Sequence, residues 1–234
     1  MKKRTTASFT WFVSLIVCIA LLMASAGCSS AGTNSNSSSG DNKSKKDDLS
    51  DIAKEYTLSA GHYTAGIDIP VGKANIIAVS GRGSLSSSNM LSGGINQVFG
   101  IDDGSGVYAS EFKNLVLSEN VKLHVTMNLV IKLTFTKIEA GFTGRAYDKA
   151  KAIELSRGNY TAGTDFPAGV YTINAVSGNG SLYSSNLLPN CVNEAFGVDT
   201  STGFYIDQFI NAELGDGVTL TITGSLKVRL TPVK

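Results

Sequence analysis

Two stretches of this chain that lie 97 residues apart, 121–127 and 218–223, alternate strictly between apolar and polar side chains. A period of two places successive side chains on opposite faces of a β-strand. The residues expected to face inward are Val121, Leu123, Val125, Met127, Val218, Leu220 and Ile222. Those expected to face solvent are Lys122, His124, Thr126, Thr219, Thr221 and Thr223. Both stretches are therefore predicted to be half-buried strands.

A third alternating run follows directly, with Leu226, Val228 and Leu230 as its apolar positions. It comes after Gly224-Ser225, a pair suited to a two-residue hairpin turn with glycine first, so the chain is predicted to end in a hairpin. Further strands are predicted at 74–80, 84–88, 171–177 and 181–185 and around Phe99 and Phe196. Short helices are expected only at 51–55 and 147–154.

Two segments carry a turn signal, 68–72 (Asp-Ile-Pro-Val-Gly) and 165–169 (Asp-Phe-Pro-Ala-Gly). Proline presets one backbone dihedral, and glycine permits the positive dihedral that follows. Many short strands at this spacing, with few helical patterns, are typical of a β-sandwich or a jelly roll. The predicted fold class is all-β.

An internal repeat underlies these paired features. When residues 58–134 are placed on residues 155–231 without a gap, 37 of the 77 positions are identical. The chain is therefore interpreted as a tandem duplication. Copy 1 is predicted at 51–136 and copy 2 at 148–234, with a linker at 137–147. Two separate domains and one fused pseudo-symmetric body are both compatible with this pattern.

The N-terminus has the layout of an export signal, because basic residues precede an apolar stretch from Phe9 to Ala26. The end of this segment, Ser25-Ala26-Gly27-Cys28, resembles the lipobox of bacterial lipoproteins. The resemblance implies cleavage after a signal peptide at 1–27 and acylation of Cys28, and so stable membrane anchoring. The alternative is an uncleaved signal anchor. Both place the rest of the chain outside the cytoplasm, facing outward.

Residues 28–50 hold the proposed lipidated cysteine and a Ser/Asn-rich segment with almost no apolar side chain, predicted to be a flexible tether. Removal of residues 1–27 changes the balance of 20 basic and 19 acidic residues to 17 and 19. A slightly acidic chain offers no basic stripe for phosphates, so nucleic acid is excluded as a partner.

Both copies contain the motif Gly-x-Tyr-x-Ala-Gly-x-Asp-x-Pro-x-Gly, at 61–72 and 158–169. With this motif the chain resembles uncharacterised extracellular β modules of lipoproteins and membrane-anchored proteins in Gram-positive bacteria. The resemblance covers roughly residues 51–234. It implies an extracytoplasmic β module and no particular chemistry.

Candidate catalytic groups are few. Cys191 is the one cysteine beyond Cys28, so no disulfide is expected after cleavage, and Cys191 is interpreted as a small buried residue. His62 and His124 are replaced by Asn159 and Thr221 in copy 2, and both are interpreted as solvent-facing strand residues. A histidine-dependent triad or zinc site common to both copies is excluded. No metal or cofactor is expected.

Acidic and glycine-rich segments are given structural interpretations. Asp68 and Asp165 lie in proline-containing turns, where a carboxylate usually caps its own backbone. The acidic loop that begins at Asp102 offers too few oxygen ligands for calcium, which takes about 6–8. The loops beginning at Gly81 and Gly178 precede strands rather than helices, so they are read as hairpin turns and not as phosphate loops.

Residues that differ between the copies are more informative about binding. Tyr183 follows the inward Leu182, so its ring is expected to face outward, where copy 1 has Ser86. An exposed ring can stack on a sugar or pack against a partner. Arg82, at a turn where copy 2 has Asn179, is a weaker candidate of the same kind.

The sequence thus predicts a lipid-anchored, non-catalytic surface module that binds a cell-wall or other glycan, or an envelope protein. A structural subunit of an envelope assembly is the alternative, and an envelope hydrolase is the least favoured reading.

Overall fold

The computed structural model describes residues 49, 52–187 and 190–234. In this part of the chain there are sixteen β-strands and no α-helix, so the fold is all-β. The strands of copy 1 are β1 (Glu55–Leu58), β2 (Gly61–Thr64), β3 (Val71–Ser80), β4 (Arg82–Ser87), β5 (Asn96–Gly100), β6 (Glu111–Leu117), β7 (Lys122–Val125) and β8 (Val130–Ala140). Those of copy 2 are β9 (Ile153–Leu155), β10 (Gly158–Thr161), β11 (Gly169–Ser177), β12 (Asn179–Ser184), β13 (Asn193–Gly197), β14 (Gln208–Leu214), β15 (Thr219–Ile222) and β16 (Lys227–Pro232).

Each copy is a sandwich of two four-stranded antiparallel sheets. In copy 1 one sheet has the order β1-β8-β3-β6 and the other β5-β4-β7-β2. In copy 2 the corresponding sheets are β9-β16-β11-β14 and β13-β12-β15-β10. Eight strands distributed in this order form a jelly roll. Five strands of copy 2 (β10, β12, β13, β14 and β15) begin and end exactly one repeat after their counterparts in copy 1.

The period-two pattern predicts the strands well and the helices poorly. Strands are found at all the predicted positions, including the terminal β15–β16 hairpin. The helix expected at 51–55 is absent from the described residues there, and at 147–154 only a 3-10 turn forms, Lys149–Lys151. Met127 is also not an inward strand residue: β7 ends at Val125, and Met127 lies in a turn with φ of 57° and is 48% exposed.

Two hydrophobic cores fill the sandwiches, one in each copy. Leu85, Leu123 and Leu133 are fully buried in copy 1, as are their counterparts Leu182, Leu220 and Leu230 in copy 2. Complete burial of a side chain of this size contributes about 1.5–3 kcal/mol. At the boundary between the copies, one residue of each packs into the core of the other. Ala60 of copy 1 is buried in the core of copy 2, and Ile210 of copy 2 packs against the core of copy 1.

One sheet continues from copy 1 into copy 2. The edge strand β2 lies parallel to the edge strand β14, with Gly61 opposite Ile210, and this contact joins two sheets into one of eight strands. The Ile210 amide donates to the Ala60 carbonyl at 3.0 Å. A Cβ on Gly61 would lie 2.6 Å from the Ile210 carbonyl oxygen, so glycine permits this approach. We call this contact region the joint.

The segment predicted as a linker takes part in the same region. β8 extends into it as far as Ala140, Arg145 pairs with Asp68 at 2.8 Å, and Tyr147 bonds to Asn211 at 2.6 Å. Within the described ranges, no helix is both long and apolar enough to cross a membrane. The predicted signal peptide, Cys28 and nearly all of the tether lie outside the described residues.

Candidate functional site

Tyr183 lies on an open sheet face of copy 2, as its position in the sequence predicts. On β12 it is paired with Thr221 on one side and Asn193 on the other, and Thr221 is paired in turn with Asn159. Directly paired residues of antiparallel strands project to the same face. Tyr183 is 44% exposed. The four residues therefore form a row of one ring and three polar side chains, which we call the Tyr183 row.

The equivalent row in copy 1 has a different environment. His62, His124, Ser86 and Asn96 are paired in the same way across β2, β7, β4 and β5. Both histidines are buried, with 3% and 6% exposure, so the prediction that they face solvent is wrong. The reason is that copy 2 covers this end of the row: Phe209 lies 5.1 Å from the His62 ring and 6.1 Å from the His124 ring, measured between centroids.

The two histidine rings pack against one another, with centroids 4.5 Å apart. Nδ1 of His62 donates to the carbonyl oxygen of Asn211 at 3.2 Å, which assigns the proton to that nitrogen. Burial, together with a smaller effect of the neighbouring His62, lowers the pKa of His124 to about 3. Nε2 of His124 has no hydrogen-bond partner among the described residues.

Asn211 is the centre of the polar contacts at the joint. Its amide nitrogen donates to the His62 carbonyl at 2.9 Å and to the Asp68 carboxylate at 3.0 Å. Its amide oxygen accepts from the Tyr147 hydroxyl. Asp68 also accepts from Arg145 and caps the Thr64 amide at 2.8 Å. The predicted capping role of Asp68 is confirmed, and Asp165 caps Thr161 in the same way.

An ion pair also connects the copies. Nζ of Lys122, on β7, lies 2.6 Å from a Glu213 carboxylate oxygen on β14, and it donates to the Asn190 side chain at 3.2 Å. Both charged side chains are about three-quarters buried. Partial burial limits solvent screening, so this pair interacts more strongly than a pair on the open surface.

Glu194 is a buried carboxyl group between the copies, 5% exposed. Its two oxygens accept from the backbone amide of Met127 at 3.0 and 3.2 Å. Burial raises its pKa to about 7, and the Met127 hydrogen bond only partly opposes this. Met127 has a left-handed backbone where copy 2 has Gly224, and such a conformation in a non-glycine residue often marks a functional region.

A cavity of about 430 Å³ lies beside these groups. Copy 1 contributes residues from β4, β5 and β7 and from the following turn, and copy 2 contributes Cys191, Asn193 and Glu194. The lining residues from copy 1 are Ser84, Ser86, Asn96, His124, Thr126 and Met127. We call this the inter-copy cavity. Because Asn193 is paired with Tyr183, the cavity begins one residue pair from the exposed ring.

A smaller cavity, of about 260 Å³, also lies between the copies and shares Met127 with the first. Its lining includes Ala60, Leu129 and Ile206, which are apolar, together with Tyr205 and Asp207. It contains neither His124 nor Glu194, both of which line the larger cavity.

Arg82 does not join the Tyr183 row. Its guanidinium lies over the Tyr108 ring, 4.9 Å from the centroid, and 3.7 Å from the Asp103 carboxylate, all within copy 1. Asp102, Asp103 and Asp199 each cap an amide two residues ahead in their own loops. Across the residues that the structure describes, no group of three or more His, Cys, Asp or Glu side chains is placed to hold a metal ion.

The sequence interpretation missed most of the residues at the joint. His62, His124, Lys122, Glu194 and Glu213 become important only because copy 2 covers them or because they reach across to copy 1. All five differ from their counterparts one repeat away, which are Asn159, Thr221, Thr219, Gln97 and Val116. Divergence between the copies is thus the available signal for the joint, although only Tyr183 and Arg82 were predicted from it as contact residues.

No protein-family model matches this chain, and no curated protein is similar enough in sequence to count as a match.

Proposed function

We propose that this protein is a lipid-anchored, extracytoplasmic binding protein without catalytic activity, and that it binds glycans at the Tyr183 row. The observation that carries the proposal is the half-exposed Tyr183 ring between Asn193 and Thr221 on an open sheet. A tyrosine ring offers an apolar face for the C–H groups of a sugar, and neighbouring amide and hydroxyl groups can bond its hydroxyls.

A concave cavity next to the row, with hydroxyl and amide groups in its lining, favours binding over a purely structural role. A structural pair of modules needs only a closed contact between them, whereas the inter-copy cavity reaches a volume typical of small-molecule sites. The equivalent row of copy 1 is partly buried at the joint, so the duplication does not provide two equal exposed rows.

Binding to purified cell wall and to a glycan panel tests the proposal. Tyr183→Ala should weaken saturable glycan binding about 2- to 12-fold, the loss expected when an aromatic contact worth about 0.5–1.5 kcal/mol is removed. Phe204→Ala is the matched control, because Phe204 is an exposed aromatic residue in a loop outside the row. Glycan binding unaffected by Tyr183→Ala would show that the Tyr183 row is not the binding site, and binding absent from every glycan would turn the proposal toward a protein partner.

The lipid anchor has its own test. Cys28→Ala in the full chain removes the acylation site, and the protein should then move from the membrane fraction to the soluble fraction. Cys18→Ala, in the predicted signal peptide, is the matched control and should leave the protein in the membrane. A Cys28→Ala variant that stays membrane-bound would favour the uncleaved anchor.

A further inference from the structure

The inter-copy cavity lies where an edge of copy 2 packs over the outer face of a copy 1 sheet. Ser84, Ser86 and Thr126 belong to that face, and β13 of copy 2 brings Asn193 and Glu194 beside it. Neither copy forms this cavity alone. It depends on the joint, which Asn211 and the Lys122–Glu213 pair hold together.

The chemistry of the lining defines the ligand that it suits. Five of its nine lining residues carry a hydroxyl or amide group, which can both donate and accept hydrogen bonds, while the apolar parts of the lining can contact the C–H groups of a sugar. None of the described residues that line the cavity is lysine or arginine, so an anion finds no counter-charge. A neutral ligand with many hydroxyl groups matches this lining best.

Two buried polar groups distinguish this cavity from an ordinary surface cleft. His124 is 94% buried, and its Nε2 has no hydrogen-bond partner in the described part of the chain. Glu194 is 95% buried, and its carboxyl group accepts only from Met127 among the hydrogen bonds described above. Buried polar groups are usually satisfied, and those with remaining hydrogen-bonding capacity often mark binding sites.

We propose that the inter-copy cavity is a second sugar-binding site, which takes one neutral pyranose unit and uses the hydroxyl and amide groups of Ser84, Ser86, Asn96 and Thr126 together with the Glu194 carboxyl. The choice of ligand class rests on the proposed function at the Tyr183 row. The cavity itself is a separate site, because Tyr183 is not part of its lining.

Cys191 is half-buried rather than fully buried as the sequence predicted, and it provides a direct test because it lines the cavity and is the single cysteine in the described residues. The experiment uses the full chain in detergent with Cys18→Ser and Cys28→Ser, so that Cys191 is its one thiol. The rate of Cys191 alkylation by a maleimide is measured with neutral tetrasaccharides of glucose, N-acetylglucosamine, mannose and galactose. A ligand present at ten times its Kd should slow alkylation about tenfold.

Ser86→Tyr is the matched variant. It introduces at Ser86 the residue that copy 2 carries at the equivalent position, so the module fold accommodates it, and the ring fills the cavity. In this variant the ligand should no longer slow the alkylation of Cys191, relative to the rate of the same variant without ligand. A charged control, the galacturonic acid tetrasaccharide, should not protect Cys191 because no cation lines the cavity.

The outcomes separate this inference from the proposed function. Protection that persists in Tyr183→Ala and disappears in Ser86→Tyr supports the cavity site, whether or not the Tyr183 row binds glycan. If none of the four neutral tetrasaccharides protects Cys191, the inference is overturned, even where glycan binding depends on Tyr183. Protection that survives Ser86→Tyr also overturns it, because the ligand then lies elsewhere.

Discussion

Equivalent residues at the joint hold the same backbone positions in the two copies but have different surroundings. Asp68 and Asp165 cap the same turn, yet only Asp68 also binds Arg145 and Asn211. His124 and Thr221 hold the same place on a strand, yet only His124 is buried. A residue's environment in this protein therefore depends on which copy contains it.

The shifted pKa values of Glu194 and His124 predict that the stability of the protein depends on pH in opposite directions. The pKa of Glu194 is raised to about 7 from an ordinary 4.5, so the folded state holds its proton more tightly and loses stability as pH rises from 4.5 to 7. The pKa of His124 is lowered to about 3 from 6.5, so stability falls as pH drops below 6.5. The two effects oppose each other between pH 4.5 and 6.5, where stability should be greatest.

Glu194→Gln should remove the loss of stability that the unmodified protein shows as pH rises above 4.5. Glutamine can still accept from the Met127 amide and does not ionise, so relative to the unmodified chain the variant should gain about 3 kcal/mol between pH 4.5 and 8. Urea unfolding across this pH range measures the difference. An equal response of both proteins to pH would show that Glu194 ionises as freely when folded as when unfolded.

At the scale of elements, the β-bulges of β6 and β14 show how one local structure serves two purposes. Asn114 and Asn211 have positive φ values of 60° and 58°, and the register of each strand shifts against its partner nearby. Asn114 is exposed, whereas Asn211 is buried and bonds to copy 1. The bulge is thus a feature of both copies, and the Asn211 side chain of the β14 bulge also forms hydrogen bonds at the joint.

Replacement of each asparagine by glycine separates these roles, because glycine retains the positive φ and removes the side chain. Asn211→Gly should lower the free energy of unfolding by about 2–4 kcal/mol, since it breaks three hydrogen bonds and leaves buried groups without partners. Asn114→Gly, the matched control, should cost less than about 1 kcal/mol. A similar loss of unfolding free energy in both variants would mean that the side-chain contacts of Asn211 contribute little to the stability of the joint.

The strands equivalent to β2 and β14 in the other copy, β10 and β6, are open sheet edges, and charged residues lie at them. Where the joint has Ala60 beside Ile210, the free edges have Arg157 near β10 and Lys113 on β6, both exposed. Pairing these edges between two molecules would bring like charges together. Charged residues of this kind protect an open sheet edge from unwanted association.

At the scale of the whole molecule, both copies belong to one compact unit and share a continuous sheet. Each copy retains its own core, but Ala60 and Ile210 cross between the cores. The joint also buries His62 and His124, which would meet water if copy 2 separated. Unfolding of one copy should therefore destabilise the other.

Leu182→Ala tests this coupling. Leu182 is fully buried in copy 2, and its truncation should cost about 2–5 kcal/mol. Hydrogen exchange followed by mass spectrometry should then show faster exchange in β2 and β7 of copy 1 as well as in copy 2. Leu85→Ala, the equivalent change in copy 1, should likewise accelerate exchange in β14. Acceleration confined to the altered copy would show that the copies unfold independently.

The sequence by itself determined the strands, the turns and the all-β class, because these follow from the alternation of neighbouring residues and from local proline and glycine geometry, and the strand order of the structure then decided the jelly roll over other sandwiches. It also indicated the outward ring of Tyr183. It did not determine which face of copy 1 would be covered, since the joint connects residues as far apart as His62 and Asn211, 149 positions along the chain. The burial of the histidines, the raised pKa of Glu194 and the inter-copy cavity all arise from that contact, so only the tertiary structure decided them.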